Sequence, residues 1–372
     1  MPRTLVVTND FPPRIGGIES FVADLCTLLD DDVVVLTSGP PGAAATDAGR
    51  PYPVVRRGGL LLPTPAVARE AAELLRRSGA DRVLFGAAAP LGLLAPALRR
   101  AGARHVVALT HGHEVWWSLV PGARAALRRV GDACDHLTTI SDFTTAAVGA
   151  ALSPAARARL LRLPPPVDLA RFGPAPGPAL RPEALRCVAV GRFVRQKGFD
   201  TLLRAWRDVL AGWPGGQARP ELVLVGDGPQ RPALEALVSG LGLAGTVRLT
   251  GAVPREQVLA ELRAARVFAL PVRSRWGGLY AEGLGLAAVE AAACGLAVVV
   301  GRSGGAPETV VEGRTGAVVD PDDPGALAAV LLPLLQDPDR AAALGAAGRE
   351  HVAARFGADA ARATLRAALA LG

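Results

Sequence analysis

Two carboxylates and two cations in the second half of the sequence have types and spacings suited to a charged, elongated ligand. Glu282 and Glu290 lie eight residues apart in EGLGLAAVE. Arg192 and Lys197 lie five apart in GRFVRQKGF, and Lys197 is the single lysine of the chain. Arginine can bind two phosphate oxygens as a fork, and lysine adds a compact point charge. We therefore expect these cations to bind a diphosphate; the alternative is a solvated surface pair.

The spacing of the two carboxylates predicts binding rather than shared proton transfer. We expect Gly283 and Gly285 to open a helix, with Glu282 on the loop or first turn and Glu290 about two turns in. On one helix they would be about 12 Å apart along the axis and about 80° apart around it, too far to share a proton. They could bind the two ends of a ligand whose diphosphate rests on the helix N-terminus. The alternative is two unrelated surface carboxylates, although the Ala-rich surroundings argue against simple solvation of Glu290.

Two glycines in the first half are candidates for anion binding. Gly16 and Gly17 follow the first predicted strand in NDFPPRIGGIESF, and we expect them to open a helix. Backbone N–H groups at such a position can approach a negatively charged ligand. The stretch lacks the GxGxxG pattern of nicotinamide-binding proteins. The alternative is an ordinary glycine-rich turn.

A second stretch of the first half, THGHEVWW, also follows a predicted strand. His111 and His113 alternate and would share a face of an extended segment, with Glu114 adjacent. No third ligand is visible nearby, so HxH alone does not establish a metal site. Two of the five histidines at one strand end favour a functional role over a purely structural one.

The elements that would position these residues alternate between short β-rich runs and longer Ala-, Leu- and Arg-rich helices. The predicted strands are residues 4–8, 33–37, 82–85, 105–110, 136–140, 186–190, 221–225, 246–249, 267–271, 297–300 and 316–319. Predicted helices include residues 201–211, 231–241 and 255–264. This βαβα pattern occurs twice, which predicts an α/β fold with two doubly wound parallel sheets.

The pattern also predicts the domain organisation. We expect a Rossmann-like domain over residues 1–170, a second over 171–352, and a helical segment over 353–372 that packs back on the first domain. The proline-rich run 163–178 is typical of a semi-rigid linker. Ligands of doubly wound sheets bind beyond the carboxyl ends of the strands, so we expect a site in a central cleft between the domains.

Composition and charge limit the class of protein. The chain has 372 residues, a net charge of +7 and a pI of about 10.1. The arginines are spread along the chain without RNA-type aromatic motifs, so we do not expect a nucleic-acid partner. The four cysteines show no zinc spacing, which is typical of a reducing compartment. The N-terminus does not resemble a signal peptide, and the most apolar stretch, 85–98, is too short to span a bilayer. We therefore expect a cytoplasmic protein.

Several of these motifs resemble those of one family. EGLGLAAVE is similar to the E-x7-E motif of retaining GT-B glycosyltransferases. Four other stretches also resemble motifs of this family: GRFVRQKGF, LVGDGP, PPPVDLARF and SGGAPETVVEGRTGAVVDP. Within it, VTNDFPPRIGGIESF, THGHEVWWSLVPGARAALRRVGD and AEGLGLAAVEA look most like the actinobacterial phosphatidylinositol mannoside mannosyltransferases. Those enzymes move mannose from GDP-mannose to a lipid-linked inositol. The resemblance covers nearly the whole chain and implies a GT-B fold.

The resemblance implies roles for the donor-site residues. Cationic side chains would neutralise the donor diphosphate, the first Glu of the motif would bind the sugar, and the second would bind the ribose hydroxyls. The implied catalytic residues are His111, Arg192, Lys197 and Glu282. The implied donor-binding residues are Gly16, Gly17, Arg192, Lys197, Val253, Glu282, Gly283, Leu284, Gly285 and Glu290. No cofactor and no metal are implied, and aspartates 30–32 and 322–323 are interpreted as turn residues. Retention of the anomeric configuration would follow, with the acceptor hydroxyl attacking from the side of the leaving group.

The acceptor is less constrained than the donor. The predicted acceptor-binding residues are Asp10, His113, Glu114, Trp116 and Arg124. The Trp pair at 116 and 117 and the arginines at 124, 128 and 129 suit an anionic lipid headgroup, which would place the enzyme on the inner face of the plasma membrane. The alternative is a solvated helix with two packed tryptophans.

Two other functions stay open at this point. The residues after Val253, PREQV, do not specify guanine, so a UDP-sugar donor with a soluble small-molecule acceptor is an alternative. The other alternative is a non-catalytic sugar-nucleotide-binding protein.

Overall fold

The computed structural model describes residues 4–14, 16–29, 33–39, 43–174 and 185–371. The chain forms two compact units. The first consists of two segments, the part up to Pro166 and the part from Ala358 onwards, and the second spans Val167–Gly357. Two expectations fall on residues outside the described ranges: the turn assignment of aspartates 30–32, and the last part of the predicted linker, 175–178.

The first unit is built on a seven-stranded parallel sheet with the order β3-β2-β1-β4-β5-β6-β7. Its strands are β1 (Thr4–Thr8), β2 (Val33–Ser38), β3 (Val54–Arg57), β4 (Arg82–Phe85), β5 (His105–Leu109), β6 (His136–Thr139) and β7 (Leu161–Arg162). Its helices up to Pro166 are α1 (Gly17–Leu28), α2 (Ala44–Asp47), α3 (Pro65–Ser78), α4 (Ala95–Ala101), α5 (Glu114–Leu119), α6 (Pro121–Ala133), α7 (Asp142–Gly149) and α8 (Pro154–Arg157), with a 3-10 turn at Leu91–Leu94.

The topology of this sheet fixes where a ligand would bind. Strand β1 pairs in parallel with β2 on one side and β4 on the other, so the chain order reverses between β1 and β4. All five residues of β1 are buried, as expected for a parallel strand covered on both faces. The carboxyl ends of β1 and β4 therefore form the topological switch point of the first unit.

The second unit is built on a six-stranded parallel sheet with the order β10-β9-β8-β11-β12-β13. Its strands are β8 (Arg186–Val190), β9 (Glu221–Val225), β10 (Val247–Gly251), β11 (Val267–Leu270), β12 (Ala297–Gly301) and β13 (Gly316–Val319). Its helices are α9 (Phe199–Ala211), α10 (Arg231–Gly240), α11 (Arg255–Arg263), α12 (Leu286–Ala293), α13 (Pro324–Gln336) and α14 (Pro338–Arg355), with 3-10 turns at Arg195–Lys197, Trp276–Gly278 and Ala306–Thr309.

Here the switch point lies between β8 and β11, which pair in parallel. Helix α9 follows the β8 loop and buries Trp206 and Leu202 completely. The Phe193 and Phe199 rings pack edge to face with their centroids 4.9 Å apart, so the loop after β8 is tied to the core. Burial of these aromatic side chains holds the loop that carries the predicted cations.

The last helix, α15 (Ala358–Ala368), belongs to the first unit. Leu365 is fully buried, and the Arg82 guanidinium donates to the carbonyl oxygens of Leu369 (2.7 Å) and Ala370 (2.9 Å). The predicted boundary at 352/353 falls inside α14, because the helix continues to Arg355 and ends at Phe356 (φ −125°, ψ 20°). Residues 353–371 are thus the end of one helix and the whole of another.

The prediction of two doubly wound parallel sheets is confirmed, and each predicted strand is present within two residues at either end. Two strands were not predicted. The edge strand β3 has four half-buried residues and lacks the buried run that marks the inner strands, and β7 has only two residues. Short edge strands carry little periodicity, which is why the sequence did not reveal them.

Candidate active site

The centre of the candidate site in the second unit is an ion pair at the switch point. Lys197, after β8, lies 2.5 Å (Nζ to Oε2) from Glu282, which follows β11. Both side chains are mostly buried, with exposed fractions of 24% and 18%. The structure therefore brings together two predicted catalytic residues that are 85 positions apart in sequence.

Lys197 is positioned by its own loop. It ends the 3-10 turn Arg195–Lys197, and its N–H donates to the carbonyl of Val194 (3.0 Å). Its aliphatic stem lies over Gly191, where an added Cβ would be 3.7 Å from the stem carbons. The stem therefore packs against the backbone of Gly191 at ordinary contact distance.

Glu282 is held through its backbone by the loop after β12. Its carbonyl accepts a hydrogen bond from the N–H of Gly305 (2.8 Å), and its N–H donates to Ser303 Oγ (3.4 Å). Gly304 has φ +53°, and a Cβ there would overlap the carbonyl of Glu282. The close approach needs glycine, and it fixes the carboxylate at the switch point.

The second carboxylate of the motif is placed differently from the prediction. Gly285 adopts the left-handed conformation (φ 94°, ψ 58°), so α12 begins only at Leu286. Glu290 is therefore little more than one turn into the helix, not about two, and Glu282 precedes the helix altogether. The estimate of 12 Å along one axis is wrong for this reason, since the two residues do not lie on one helix.

Glu290 forms an ion pair that the sequence did not predict. Its Oε1 lies 3.0 Å from the guanidinium of Arg255, at the start of α11. The Arg255 guanidinium also lies 5.3 Å from the centre of the Phe172 ring. The half-buried Val253 lies in the loop at the carboxyl end of β10, two positions before Arg255. The closeness of Arg255 in sequence to the predicted residue Val253 is the one sequence feature that could have indicated it as a site residue.

Arg192 lies in the same loop as Lys197 but faces solvent. Its side chain is exposed and forms no ion pair with any residue in the described ranges. The loop is held by the LVGDGP stretch and by the residue after it. Phe193 N–H donates to the carbonyl of Asp227 (2.8 Å), and Gln230 N–H donates to the carbonyl of Phe193 (3.0 Å). A guanidinium without a carboxylate partner next to Lys197 is suited to an anion.

In the first unit, His111 follows β5 and reaches the switch point. Its Nε2 lies 2.5 Å from the carbonyl oxygen of Gly86, directly after β4. A carbonyl oxygen can only accept a hydrogen bond, so in the neutral ring Nε2 carries the proton and Nδ1 is unprotonated and can accept a hydrogen bond. Burial lowers the pKa of His111 below 6.5, with Glu114 acting in the opposite direction. The Phe21 ring of α1 packs edge-on against the imidazole at 5.6 Å.

Glu114 is fully buried beneath this loop. Its Oε2 accepts the backbone N–H of His111 (2.9 Å), and its Oε1 lies 3.5 Å from Nε2 of His113, whose side chain is 42% exposed. The carboxylate thus orients the backbone of His111, whereas the acceptor contact predicted for it from the sequence stays a prediction.

The other predicted residues of the first unit surround the same edge of the sheet. Asp10 donates its N–H to Thr8 Oγ1 (3.0 Å) directly after β1. Gly16 is the N-cap of α1 and Gly17 is its first residue, as predicted. The carboxyl end of β1 and the N-terminus of α1 therefore lie at the switch point of this unit, which is where ligands of such sheets bind.

Trp116 and Arg124 lie on consecutive helices, α5 and α6. The rings of Trp116 and Trp117 are 5.5 Å apart, and Trp117 packs against the core of the unit. The Arg124 guanidinium donates to the carbonyl of Ala150 (2.6 Å) at the end of α7. This contact gives Arg124 a structural role as a helix cap.

The described residues contain no group of three or more His, Cys, Asp or Glu side chains that could hold a metal ion. Within the same residues, no helix has the length and apolar character needed to cross a membrane.

The aspartates at 322 and 323, interpreted from the sequence as turn residues, make local hydrogen bonds. Asp323 caps α13 by accepting from the N–H of Ala326 (2.9 Å), and Asp322 donates its N–H to Asp320 Oδ1 (2.9 Å).

Two family profiles together match most of the chain. The profile described as Glycosyltransferase Family 4 matches residues 15–171, and the profile described as Glycosyl transferases group 1 matches residues 178–351. The fold resembles that of the Anabaena protein Alr3699/HepE, solved in complex with UDP, with a TM-score of 0.79 over 99% of both chains at 18% identity.

Relatives of higher identity define the family more closely. The chain is 44% identical to a GDP-mannose-dependent alpha-(1-6)-phosphatidylinositol monomannoside mannosyltransferase of Mycolicibacterium smegmatis, covering 93% of this chain and 92% of the relative. It is 41% identical to a GDP-mannose-dependent monoacylated alpha-(1-6)-phosphatidylinositol monomannoside mannosyltransferase of Corynebacterium glutamicum, covering 95% and 94%. The resemblance drawn from the motifs is confirmed, and the chain belongs to the GT-B glycosyltransferase family of these mannosyltransferases.

Proposed function

We propose that this enzyme transfers mannose from GDP-mannose to a hydroxyl of a phosphatidylinositol mannoside or a similar lipid-linked acceptor. The two relatives above have this donor and acceptor class in their names and match more than nine-tenths of the chain. The observation that supports the proposal is the ion pair of Lys197 and Glu282 at the switch point of the second unit, because it places a cation suited to phosphate beside a carboxylate suited to sugar hydroxyls.

On the donor side, the diphosphate binds Arg192 and Lys197, and the sugar binds Glu282. An ammonium group has three N–H donors, so Lys197 can serve Glu282 and a phosphate oxygen together. The positive charges also stabilise the negative charge that develops on the leaving diphosphate. The amides of Gly283 and Leu284, just before α12, complete the sugar and phosphate contacts.

The nucleoside binds on the other side of α12. Glu290 accepts the ribose hydroxyls, and its ion pair with Arg255 fixes the carboxylate in one orientation. Val253 contacts the base, since it lies in the loop after β10 two positions before Arg255. Gly285 lets the chain turn sharply between the sugar-binding and ribose-binding carboxylates.

In the first unit, Gly16 and Gly17 bring backbone N–H groups to the diphosphate, and His111 contacts the transferred sugar. The lowered pKa keeps His111 uncharged at neutral pH, so it adds no positive charge at the reacting carbon. The reaction proceeds with retention and without a metal ion; Arg192 and Lys197 supply the positive charge at the diphosphate. Glu114 acts through His111 by holding its backbone.

We place the acceptor near Asp10, His113 and Trp116, with Arg124 at the margin. Asp10 follows β1 and His113 follows β5 at the carboxyl edge of the first sheet, and His113 is the partly exposed member of the histidine pair. A lipid-linked acceptor implies peripheral association with the inner face of the plasma membrane from the cytoplasmic side.

A thermal-shift panel of GDP-, UDP- and ADP-sugars tests the donor, because a ligand that binds the folded state raises its stability by about 2.7 kcal/mol at one hundred times Kd. GDP-mannose is expected to give the largest shift. Product analysis with phosphatidylinositol monomannoside, with and without chelator, then tests acceptor, anomer and metal independence. A larger shift with a UDP-sugar, an inverted product, or inhibition by chelator would contradict the corresponding part of the proposal.

A further inference from the structure

Arg273 has no part in the proposed transfer, yet it connects the two loops that carry Lys197 and Glu282. It lies in the loop after β11, nine positions before Glu282. We propose that Arg273 is a positioning residue that holds the Lys197 ammonium in place against the Glu282 carboxylate. The inference rests on the proposed function in one respect, namely that these two groups bind the donor.

The two strands that lead to this ion pair separate before their loops begin. In the described structure, β8 and β11 pair at two positions, Cys187 with Val267 and Val188 with Phe268. The paired register stops there, two residues before each strand ends. Separation of neighbouring strands at the switch point opens the crevice in which ligands bind. It also leaves the two following loops without strand pairing to hold them together.

Arg273 bridges the two loops through its backbone and its side chain. Its N–H donates to the carbonyl of Gln196 (2.8 Å), the residue before Lys197. Its Nη2 donates to Oδ1 of Asp200 (2.6 Å) and to the hydroxyl of Thr201 (2.7 Å), in the first turn of α9. These contacts lie on both sides of Lys197 in sequence, so they fix the loop after β8 at two points.

The residue after Arg273, Ser274, connects the same segment to Glu282. Its hydroxyl lies 2.9 Å from the hydroxyl of Ser303, in the loop after β12, and Ser303 Oγ accepts the N–H of Glu282 (3.4 Å). The backbone on the other side is tightly packed, because a Cβ at Gly301 would overlap the carbonyl of Val272. A shift of this segment would therefore be passed on to both members of the ion pair.

Burial holds the Arg273 guanidinium against its partners. The side chain is 14% exposed, and a mostly buried cation is costly to leave unpaired. A second, longer ion pair joins its Nη1 to Asp322 Oδ1 at 3.5 Å. Asp200, in contrast, is 49% exposed. Removal of the guanidinium leaves a carboxylate that water can reach, so variants at Arg273 are expected to fold.

The position of Lys197 matters more for the reaction than for donor binding. A cation that meets the leaving diphosphate stabilises charge that is greater in the transition state than in the ground state. Misplacement of such a group by about 1 Å can lower turnover about a hundredfold. Loss of Arg273 is therefore expected to lower kcat and to leave the KM for the donor little changed.

Steady-state kinetics of Arg273→Met with GDP-mannose tests this role. We expect kcat to fall about a hundredfold and the KM for GDP-mannose to stay within about threefold of wild type. Arg273→Lys keeps one ion pair with Asp200 but loses the planar fork, so its kcat should fall only about tenfold. The matched control is Arg207→Met, which removes an exposed arginine paired with Asp208 (2.8 Å) on α9 and should turn over like wild type.

A double-mutant cycle separates positioning of Lys197 from a general structural effect. If Arg273 acts through Lys197, adding Arg273→Met to Lys197→Met should lower kcat by less than about tenfold, because the positioned group is already absent. A further loss as large as in wild type would overturn the proposal, as would unchanged kcat in Arg273→Met or an equal fall in Arg207→Met. If wild type uses another sugar nucleotide, the proposed function fails, and the same cycle with that donor still tests Arg273.

Discussion

Replacing Lys197 tests the ion pair at the centre of the proposed site. Lys197→Met keeps the stem over Gly191 and removes only the charge, whereas Lys197→Arg keeps the charge and changes its shape. Removing one preorganised contact to developing charge typically lowers kcat by 10²–10³, or about 2.7–4 kcal/mol of transition-state stabilisation. We expect Lys197→Met to lose turnover of this order. For Lys197→Arg we expect a smaller loss, about tenfold, because a guanidinium that binds both oxygens of Glu282 has its remaining N–H groups fixed in the same plane, whereas an ammonium can turn its donors towards a phosphate.

The stability of the same variants separates catalysis from folding. The pair is about four-fifths buried, so Lys197→Met leaves the Glu282 carboxylate mostly buried without its cation, at a cost of about 1–3 kcal/mol. For a unit of this size that corresponds to a fall in Tm of about 2–12 °C. Initial rates with GDP-mannose and scanning calorimetry on the same preparations measure both quantities. Wild-type turnover in Lys197→Met would refute the site assignment, and full activity in Lys197→Arg would show that any cation suffices. A fall in Tm above about 15 °C would instead show a mainly structural role.

Two further predictions concern stability. The folded-state pKa of His111 is lowered below 6.5, so the unfolded chain binds more protons than the folded chain once the pH falls below 6.5. The contribution of His111 to stability is therefore complete above that pH and decreases below it. In urea unfolding, His111→Asn should lose less stability than wild type between pH 7.5 and 5.5, and parallel pH profiles of the two proteins would contradict this prediction. Gly304→Ala should lower the free energy of unfolding by about 2–4 kcal/mol, because the alanine must adopt a left-handed conformation and its Cβ would overlap the carbonyl of Glu282. Gly313→Ala (φ +71°, open space around a Cβ) isolates the backbone cost, and an equal effect in both would show that the contact with Glu282 does not matter.

The sequence predicted the strands and the loops that follow them because β-branched buried runs end at glycine in both units. Gly191 after β8 is an example, and the carboxyl ends of parallel strands lie at one edge of the sheet. The start of α12 was not predictable in the same way, since a glycine near a helix can be its first residue or its left-handed cap. The structure selects the second role for Gly285, which shortens the helix before Glu290.

The pairing of Glu290 with Arg255 depends on contacts between distant segments and therefore lies beyond sequence patterns. Arg255 begins α11, and its orientation is set by Glu290 and by the Phe172 ring, 83 positions earlier in the chain. A contact between segments this far apart in sequence cannot be predicted from local periodicity. The same holds for Gly304, whose role becomes visible only when its backbone is seen against the carbonyl of Glu282.

Two ion pairs would allow the proposed site to bind a diphosphate although it contains two carboxylates. Glu282 and Glu290 suit sugar and ribose hydroxyls because ionised carboxylates only accept hydrogen bonds, but their charge alone would repel a nucleotide. Each is neutralised by a cation from a different strand loop, Lys197 from β8 and Arg255 from β10. In the proposed site, Arg192 then gives a net positive charge that would attract the phosphates. An ammonium suits the first pair because its three donors can be divided between Glu282 and phosphate, whereas a guanidinium favours binding one carboxylate with both arms. In the proposed site, the single lysine of an arginine-rich chain thus occupies the position where one cation must bind two acceptors, Glu282 and a phosphate oxygen.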